Sequence, residues 1–295
     1  MELFHQRWND HPAVALKPAR KQLIPALTSS QTGKAGSDPG KEAQIVRTYG
    51  NAPAHGGLDW MAPVVGISPT TYQFAKDGEF TAYTLLLRAI KRAKHFIYCE
   101  DQYFFSSEMQ RLPDIREVLR SQLGSVGGLQ FIALTNRTED INDEIEQAWY
   151  HRRLFFGGIK SGNPGKVFVF QYKKGDNPYI HAKAWIIDDE FAFIGSANCN
   201  RRSYSHDSEV AVGIAGKNAD GNEFAFDLRV KLWLSRLNPT GGKPATVKPD
   251  DVADWRAGLK LMLGSESRFE AYDENGGVDK STEKYRWDVI DPDGS

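Results

Sequence analysis

The feature that most constrains the fold of this chain is the segment at residues 181–188, which reads His-Ala-Lys-Ala-Trp-Ile-Ile-Asp. Side chains two residues apart on a strand share a face, so His181 and Lys183 should project in the same direction. An acidic turn and a second apolar run at residues 191–194 follow. The pattern predicts a β-hairpin that carries an imidazole and an ammonium on one face.

The second strand of this hairpin ends in Gly-Ser-Ala-Asn, so Ser196 and Asn198 should also share a face. A phosphodiester is negatively charged and repels nucleophiles. Lys183 can neutralise that charge, while Ser196 and Asn198 can donate hydrogen bonds to the non-bridging oxygens. His181 can attack phosphorus when neutral, or protonate the leaving oxygen when charged. We expect Glu209, at the start of the next strand, to orient the imidazole of His181.

Composition narrows the class of protein. The chain has 295 residues, 40% of them hydrophobic, and a net charge of −1, which argues against non-specific binding of nucleic acid. The sequence predicts neither a cofactor nor a metal site, because no cluster of Cys and His residues occurs. Cys99 and Cys199 lie in apolar runs and are expected to be buried free thiols. The first ten residues lack the apolar stretch of a signal peptide, and the cellular compartment stays open.

Strand-like and helix-like patterns alternate along the chain. Strands are predicted at residues 44–49, 96–99, 129–134, 167–172, 182–187, 191–194 and 210–214. Helices are predicted at residues 80–94, 138–156, 223–237 and 250–263, with Thr138 as a cap of the second helix. This alternation predicts a layered α/β domain.

Several of these segments resemble the phospholipase D superfamily. The order His-x-Lys-x4-Asp, then Gly-Ser-x-Asn and Asn-Arg-Arg-Ser at residues 200–203, resembles its HKD motif. Residues 97–104 (IYCEDQYF) resemble the strand that precedes the second HKD motif. Residues 4–9 (FHQRWN) resemble the segment that ends the first catalytic half, and residues 227–237 resemble a helix after the motif. The resemblance implies a β-sheet flanked by helices, forming one half of a pseudo-twofold pair.

The resemblance also implies the site. It makes His181, Lys183, Asp188 and Glu209 catalytic residues, with no metal, and Lys183, Ser196 and Asn198 the phosphate ligands. In two-motif members the histidine of the first half is usually the nucleophile, which would make His181 the general acid and then the base. From its position alone, Asp188 is better explained as a turn residue.

The chain departs from the two-motif pattern, because only one of its seven histidines, His181, has Lys two residues later. A complete site would need a second HKD-containing half or a homodimer partner. The first hypothesis is a phospholipase D-type enzyme that acts on phospholipids at a membrane surface. The alternatives are a catalytically silent, partner-dependent subunit and a nuclease or other phosphodiesterase, although a nucleic-acid partner is not favoured.

The domain boundaries follow from the same resemblance. Residues 1–11 are expected to be a remnant of a first catalytic half, 12–43 a linker, 44–238 the catalytic domain and 239–295 a C-terminal appendage. Two smaller expectations concern residues near the motif. Arg152 and Arg153 are predicted to lie on a solvated helix face. Tyr103, Phe104 and Phe105 would form either an acyl-chain wall or part of the core.

Overall fold

A nine-stranded mixed sheet organises the part of the chain that the computed structural model describes, namely residues 41–50, 75, 77–105, 109, 111–137, 146–175, 179–218, 221–238 and 246–274. The strands are β1 (Lys41–Tyr49), β2 (Glu79–Phe80), β3 (Phe96–Asp101), β4 (Gln130–Leu134), β5 (Val167–Tyr172), β6 (Lys183–Ile187), β7 (Phe191–Gly195), β8 (Glu209–Gly216) and β9 (Phe269–Ala271). Their order across the sheet is β2-β1-β8-β7-β6-β3-β4-β5-β9.

Helices cover both faces of this sheet. They are α1 (Thr81–Ile90), α2 (Ile115–Ser125), α3 (Glu146–Lys160), α4 (Arg201–Ser205), α5 (Phe224–Leu237), α6 (Pro249–Ala253) and α7 (Trp255–Leu263). The α/β architecture with a sheet flanked by helices, predicted from the sequence, is therefore confirmed.

Strand β6 lies in the middle of the sheet and divides its side chains between two cores. Trp185 packs into the core under α1, α2 and α3, whereas Ile186 packs into the core under α5 and α7. All five residues of β6 are buried, because helices cover both sides of the strand. The predicted hairpin forms as expected, with β6 antiparallel to β7.

The register of β3 against β6 decides which side chains meet where β3 ends and β6 begins. The two strands are antiparallel, and Asp101 at the end of β3 pairs with Lys183 at the start of β6. Paired residues on adjacent strands point to the same face, so this register brings an acid and a base together.

Two predicted helices differ from those observed. Helix α3 continues to Lys160, four residues beyond its predicted end, and its predicted cap Thr138 lies outside the described residues. The helix predicted at residues 250–263 is two helices, because the Asp254 side chain accepts hydrogen bonds from the backbone N–H groups of Arg256 and Ala257 and so starts a new helix.

Helix α2 is absent from the predicted elements, although its sequence carries the usual signals. Asp114 accepts a hydrogen bond from the backbone N–H of Arg116 and caps the helix, and an acidic residue lies in the first turn. Ile115, Leu119 and Leu123 recur every four residues and are buried. These signals were sufficient to predict the helix.

Residues 246–274 belong to the same sheet and core. Strand β9 pairs antiparallel with β5, and Trp255, Leu259 and Phe269 join the second core. Residues 4–9 and the expected linker up to residue 40 lie outside the described residues.

Three observations bear on the other expectations. Cys99 and Cys199 are buried free thiols, as predicted. Among the described residues, no helix is long and apolar enough to cross a bilayer. The same part of the chain holds no group of three or more His, Cys, Asp or Glu residues that could bind a metal ion.

Candidate active site

Lys183 lies at the start of the central strand β6, with its ammonium group held from two sides. Its Nζ donates to the Gln102 side-chain oxygen at 2.9 Å and to the backbone oxygen of His181 at 2.9 Å. Burial lowers the pKa of Lys183, while the carboxylates of Asp101 and Glu209 act in the opposite direction. The residue is 8% exposed, so this is a fixed and largely desolvated positive charge.

Asp101 is the buried acid beside this lysine. Its two carboxylate oxygens accept hydrogen bonds from the backbone N–H groups of Tyr103 and Cys199, each at 2.8 Å. Burial raises the pKa of Asp101 to about 7, against the lowering effects of these donors and of the charges on Lys183 and Arg152. The carboxylate joins the end of β3 to the loop that follows β7.

His181 lies just before β6 and is exposed to solvent. Its ring stacks on that of Tyr179, with 6.2 Å between the centroids. The preceding residue, Ile180, is fixed by the Asn136 side chain, which accepts from its N–H at 2.6 Å and donates to its oxygen at 2.8 Å. The backbone next to His181 is therefore anchored, while the imidazole is accessible to an incoming substrate.

Ser196 and Glu209 form a pair on the neighbouring strands. The Ser196 hydroxyl donates to the Glu209 carboxylate and accepts from the backbone N–H of Val210 at 3.1 Å. Burial raises the pKa of Glu209, which the hydrogen bonds from Ser196 and Ser203 oppose. The structure thus pairs Glu209 with hydroxyl groups rather than with His181, and its orienting role stays a prediction.

The close approach of two strands explains why a glycine, Gly195, precedes Ser196. A Cβ atom there would lie 2.5 Å from the backbone oxygen of Val210 and 2.5 Å from the Cβ of Ala211. Strands β7 and β8 approach closely at this point, and the contact places Ser196 against Glu209.

Asn198 follows in the same loop and is half-buried. Its side-chain oxygen is buried, with no hydrogen-bond partner within the described part of the chain. Its backbone oxygen accepts from the N–H of Asn200, whose side chain in turn caps α4 by accepting from Ser203 at 3.0 Å. The loop is therefore held by the helix that follows it.

Asp188 is not brought to this group of side chains, and its catalytic assignment is corrected here. It lies at the opposite end of β6, where its carboxylate accepts from the backbone N–H groups of Lys94, His95 and Phe96 at 2.7–2.8 Å. It adopts a φ of 55°, which an Asp tolerates in a tight turn. Asp188 fixes the turn between β6 and β7 to the start of β3.

Arg152 corrects a second expectation, because it is fully buried rather than part of a solvated helix face. It donates to the backbone oxygens of Tyr103 at 2.8 Å, Asn136 at 2.9 Å and Gln102. The spacing carried a signal for this burial, since Phe155 and Phe156 lie three and four residues later and share its helix face.

The aromatic residues after β3 divide between core and site. Phe104 packs in the first core, as one of the two alternatives predicted, and Phe105 is buried as well. Tyr103 is partly exposed and stacks on Phe105, with 4.8 Å between ring centroids. Burial raises the pKa of Tyr103, while the neighbouring Gln102 side chain, which accepts from the Lys183 ammonium, acts in the opposite direction. Sequence reasoning gave no role to Gln102.

Comparisons with known proteins agree on the family. Residues 86–225 match the family model described as cardiolipin synthase, PLD-like domain. The chain is 28% identical to phospholipase D B of Dictyostelium discoideum, over 58% of this chain and 18% of that protein. It is 30% identical to a cardiolipin synthase of Staphylococcus aureus, over 51% of this chain and 25% of that protein. The chain therefore spans a quarter or less of the length of these relatives.

Two solved structures are also similar. A phospholipase D family member, Nuc from Salmonella typhimurium, aligns with a TM-score of 0.41 and 16% identity, over 66% of this chain and 93% of that chain. A phosphatidylserine synthase from Haemophilus influenzae aligns with a TM-score of 0.42 and 9% identity, over 81% of this chain and 42% of that chain.

The matched region contains the paired Lys183 and Asp101, together with the exposed His181. Residues 86–225 therefore carry a phospholipase D-like domain, in agreement with the resemblance seen in the sequence.

Proposed function

We propose that this chain supplies half of the active site of a phospholipase D-type enzyme. The complete site would hydrolyse a glycerophospholipid to phosphatidic acid and a free head-group alcohol, or transfer the phosphatidyl group to another alcohol. The observation that carries the proposal is the largely buried Lys183 ammonium, fixed by Gln102 beside the solvent-accessible His181. The names of the sequence relatives support lipids as the substrate class.

The chemistry would proceed in two displacements. A second histidine attacks phosphorus, the bond from phosphorus to the head-group oxygen breaks, and His181 gives its proton to that oxygen. His181 then takes a proton from water, and the resulting hydroxide displaces that second histidine from phosphorus. Lys183 would stabilise the negative charge on the phosphoryl oxygens in both steps, because a fixed charge in a desolvated site needs little reorganisation.

A partner is required by this scheme, since one histidine cannot be the nucleophile and the acid at once. We propose that a second HKD-containing half, or a second copy of this chain, supplies the nucleophile. The only His-x-Lys pair in the sequence is the one at His181 and Lys183. The catalytic groups would lie within residues 44–238, with Ser196 and Asn198 as further phosphate ligands, while residues 246–274 complete the same sheet and core.

Turnover of phospholipid vesicles is the direct test. The purified full chain is incubated with phosphatidylcholine or phosphatidylethanolamine vesicles in the presence and absence of butanol. Release of head group and formation of phosphatidylbutanol support the proposal. Light scattering on the same sample shows whether activity accompanies a dimer. Cleavage of DNA without cleavage of either lipid would contradict the lipid assignment.

Two matched variants separate the site from the rest of the surface. His181→Ala should abolish turnover and any acid-labile phosphoryl adduct. His95→Ala removes an equally exposed histidine at the other end of the sheet and should leave both unchanged. Full turnover in His181→Ala would refute the role assigned to that residue.

The second candidate is a catalytically silent subunit. The observation that favours it is the presence of a single His-x-Lys pair in the sequence. A chain that turns over no substrate as monomer or dimer, and that supports the activity of a separately expressed first half equally well after His181→Ala, would support this candidate. Activity of the chain alone would exclude it.

A further inference from the structure

Gln102 binds two cationic side chains, Lys183 through its side chain and Arg152 through its backbone. Its side-chain oxygen accepts from the Lys183 ammonium at 2.9 Å, and its backbone oxygen accepts from the Arg152 guanidinium. The backbone oxygen of the next residue, Tyr103, also accepts from Arg152, at 2.8 Å. One buried guanidinium thus holds two consecutive carbonyl groups of the segment that carries the Lys183 acceptor.

This segment needs such support, because its backbone is strained. Phe104 has a φ of 55°, in the left-handed region that bulky side chains rarely occupy. The surrounding contacts fix it on both sides. The N–H of Tyr103 donates to Asp101, and the N–H of Phe105 donates to the backbone oxygen of Cys199 at 2.9 Å. Without Arg152, the carbonyl side of the segment would lose two of its anchors.

The position of Arg152 is itself fixed by distant parts of the chain. Its third hydrogen bond goes to the backbone oxygen of Asn136, whose side chain holds Ile180 next to His181. The ring of Tyr272, from the C-terminal segment, lies 5.5 Å from the guanidinium carbon. Arg152 therefore connects the segment after β3, which carries the acceptor of Lys183, with the Asn136 segment next to His181 and with the segment that follows β9.

We propose that Arg152 is a positioning residue that fixes the place of the Lys183 ammonium by holding the backbone of Gln102. Arg152 would not touch the substrate. Five donors in a planar fork suit it to bind several carbonyl groups at once, which an ammonium at the end of a flexible chain does less well. The functional meaning of the proposal rests on the phosphodiesterase function proposed above, but its test does not require turnover.

The test follows the ionisation of Lys183 by NMR in the full chain with labelled lysine side chains, and Lys183→Arg identifies the signal. Asp101 from β3 and Glu209 from β8 face this ammonium, and Arg152 in turn faces Asp101. Loss of the Gln102 acceptor destabilises the charged form, so Gln102→Leu should move the titration midpoint of Lys183 to lower pH.

Arg152→Lys keeps the positive charge and removes the planar guanidinium group that binds several carbonyl oxygens at once. If Arg152 acts through Gln102, this variant should shift the Lys183 midpoint in the same direction as Gln102→Leu, and by at least half as much. The double variant should shift it no further than Gln102→Leu alone, because both changes remove the same hydrogen bond. Additive shifts, or an unchanged midpoint in Arg152→Lys, would overturn the proposal.

Arg229→Lys is the matched control. Arg229 is also fully buried and also donates to two backbone carbonyl groups, but at the opposite end of the sheet. The Arg229→Lys variant should have a lower melting temperature but an unchanged titration midpoint of Lys183. A midpoint shift equal to that in Arg152→Lys would mean a general loss of rigidity and would count against the proposal. If Arg152→Lys does not fold, Tyr272→Leu decides instead: a smaller shift to lower pH supports the proposal and none overturns it.

Discussion

Both ends of strand β6 carry charged side chains, but the two ends use them differently. At the first end, Lys183 has a side-chain acceptor in Gln102, and the neighbouring His181 is exposed. At the other end, Asp188 accepts three backbone N–H groups, and Asp189 pairs with the buried Arg229. The first end leaves groups available for chemistry, whereas the second uses its charges to close the fold.

A buried arginine lies near each end of β6, Arg152 at the first end and Arg229 at the other. Arg229 binds a carboxylate with two hydrogen bonds, at 2.6 and 2.7 Å. Arg152 binds backbone oxygens instead and lies near Asp101, an acid whose pKa burial raises to about 7. The fold thus places a compensated ion pair at the closing end and keeps titratable groups at the end with Lys183. Four predictions test this division.

The largest effect is expected from Lys183→Met at the first end. With the second half present, phospholipid turnover should fall by ~10⁴-fold, about 5 kcal/mol of transition-state stabilisation, as for other cationic groups that bind a transferring phosphoryl group. Stability should change by less than about 1 kcal/mol, because the lost hydrogen bonds and the relieved desolvation of the ammonium oppose each other. The measurements are kcat/KM and urea unfolding.

Lys166→Met is the control for that substitution. Lys166 also donates to backbone oxygens, at 2.6 Å to Leu123 and 3.2 Å to Val126, but it lies away from the site. It should retain turnover. Equal losses of turnover in the two variants would remove the distinction between the ends of β6.

The next effect is expected from Arg229→Met at the other end. This change leaves the Asp189 carboxylate and the backbone oxygens of Val252 and Ala253 without their donor. The free energy of unfolding should fall by about 4 kcal/mol, as when one partner of a buried ion pair is removed. Activity per folded molecule should be retained, which urea unfolding and an active-site titration together would establish.

Asp188→Ala tests whether the acid of the motif is structural. Loss of three hydrogen bonds to a carboxylate should lower the free energy of unfolding by about 3 kcal/mol. Asp188→Asn keeps an acceptor and tolerates the positive φ, so it should cost less. If Asp188→Ala has normal stability but no turnover, Asp188 is a catalytic residue after all.

The smallest effect concerns pH and Asp101. Its pKa is raised to about 7 in the folded state, so the folded state holds a proton that the unfolded state has released above about pH 4. This group therefore destabilises the fold increasingly between about pH 5 and pH 7, by on the order of 2 kcal/mol. Asp101→Asn should lack this part of the slope in urea unfolding curves.

Asp254→Asn is the control, because it also replaces an Asp by Asn and because Asn can still cap the helix. A slope in Asp101→Asn that equals that of the unsubstituted protein would mean that Asp101 stays ionised over this range. It would then be a permanent counter-charge of Lys183.

Much of this structure follows from local patterns. The alternation at residues 181–188 predicted the hairpin and the shared face of its polar residues, and residues 167–172 form a strand with the predicted bounds. Helix α2 could also have been predicted from the sequence, because Asp114 and the spacing of the apolar residues are local signals. The partners of Arg152 were not, since two of them lie about fifty residues earlier in the chain.

By itself, the sequence determined which residues alternate on strands and which chemical groups the hairpin carries, because a period of two residues is fixed by backbone geometry. Only the tertiary structure decided which acid stands beside Lys183. The order of strands put Asp101 of β3 opposite it and brought the start of β3 to Asp188, at the far end of β6. Such pairings depend on how distant segments pack, and no local pattern contains them.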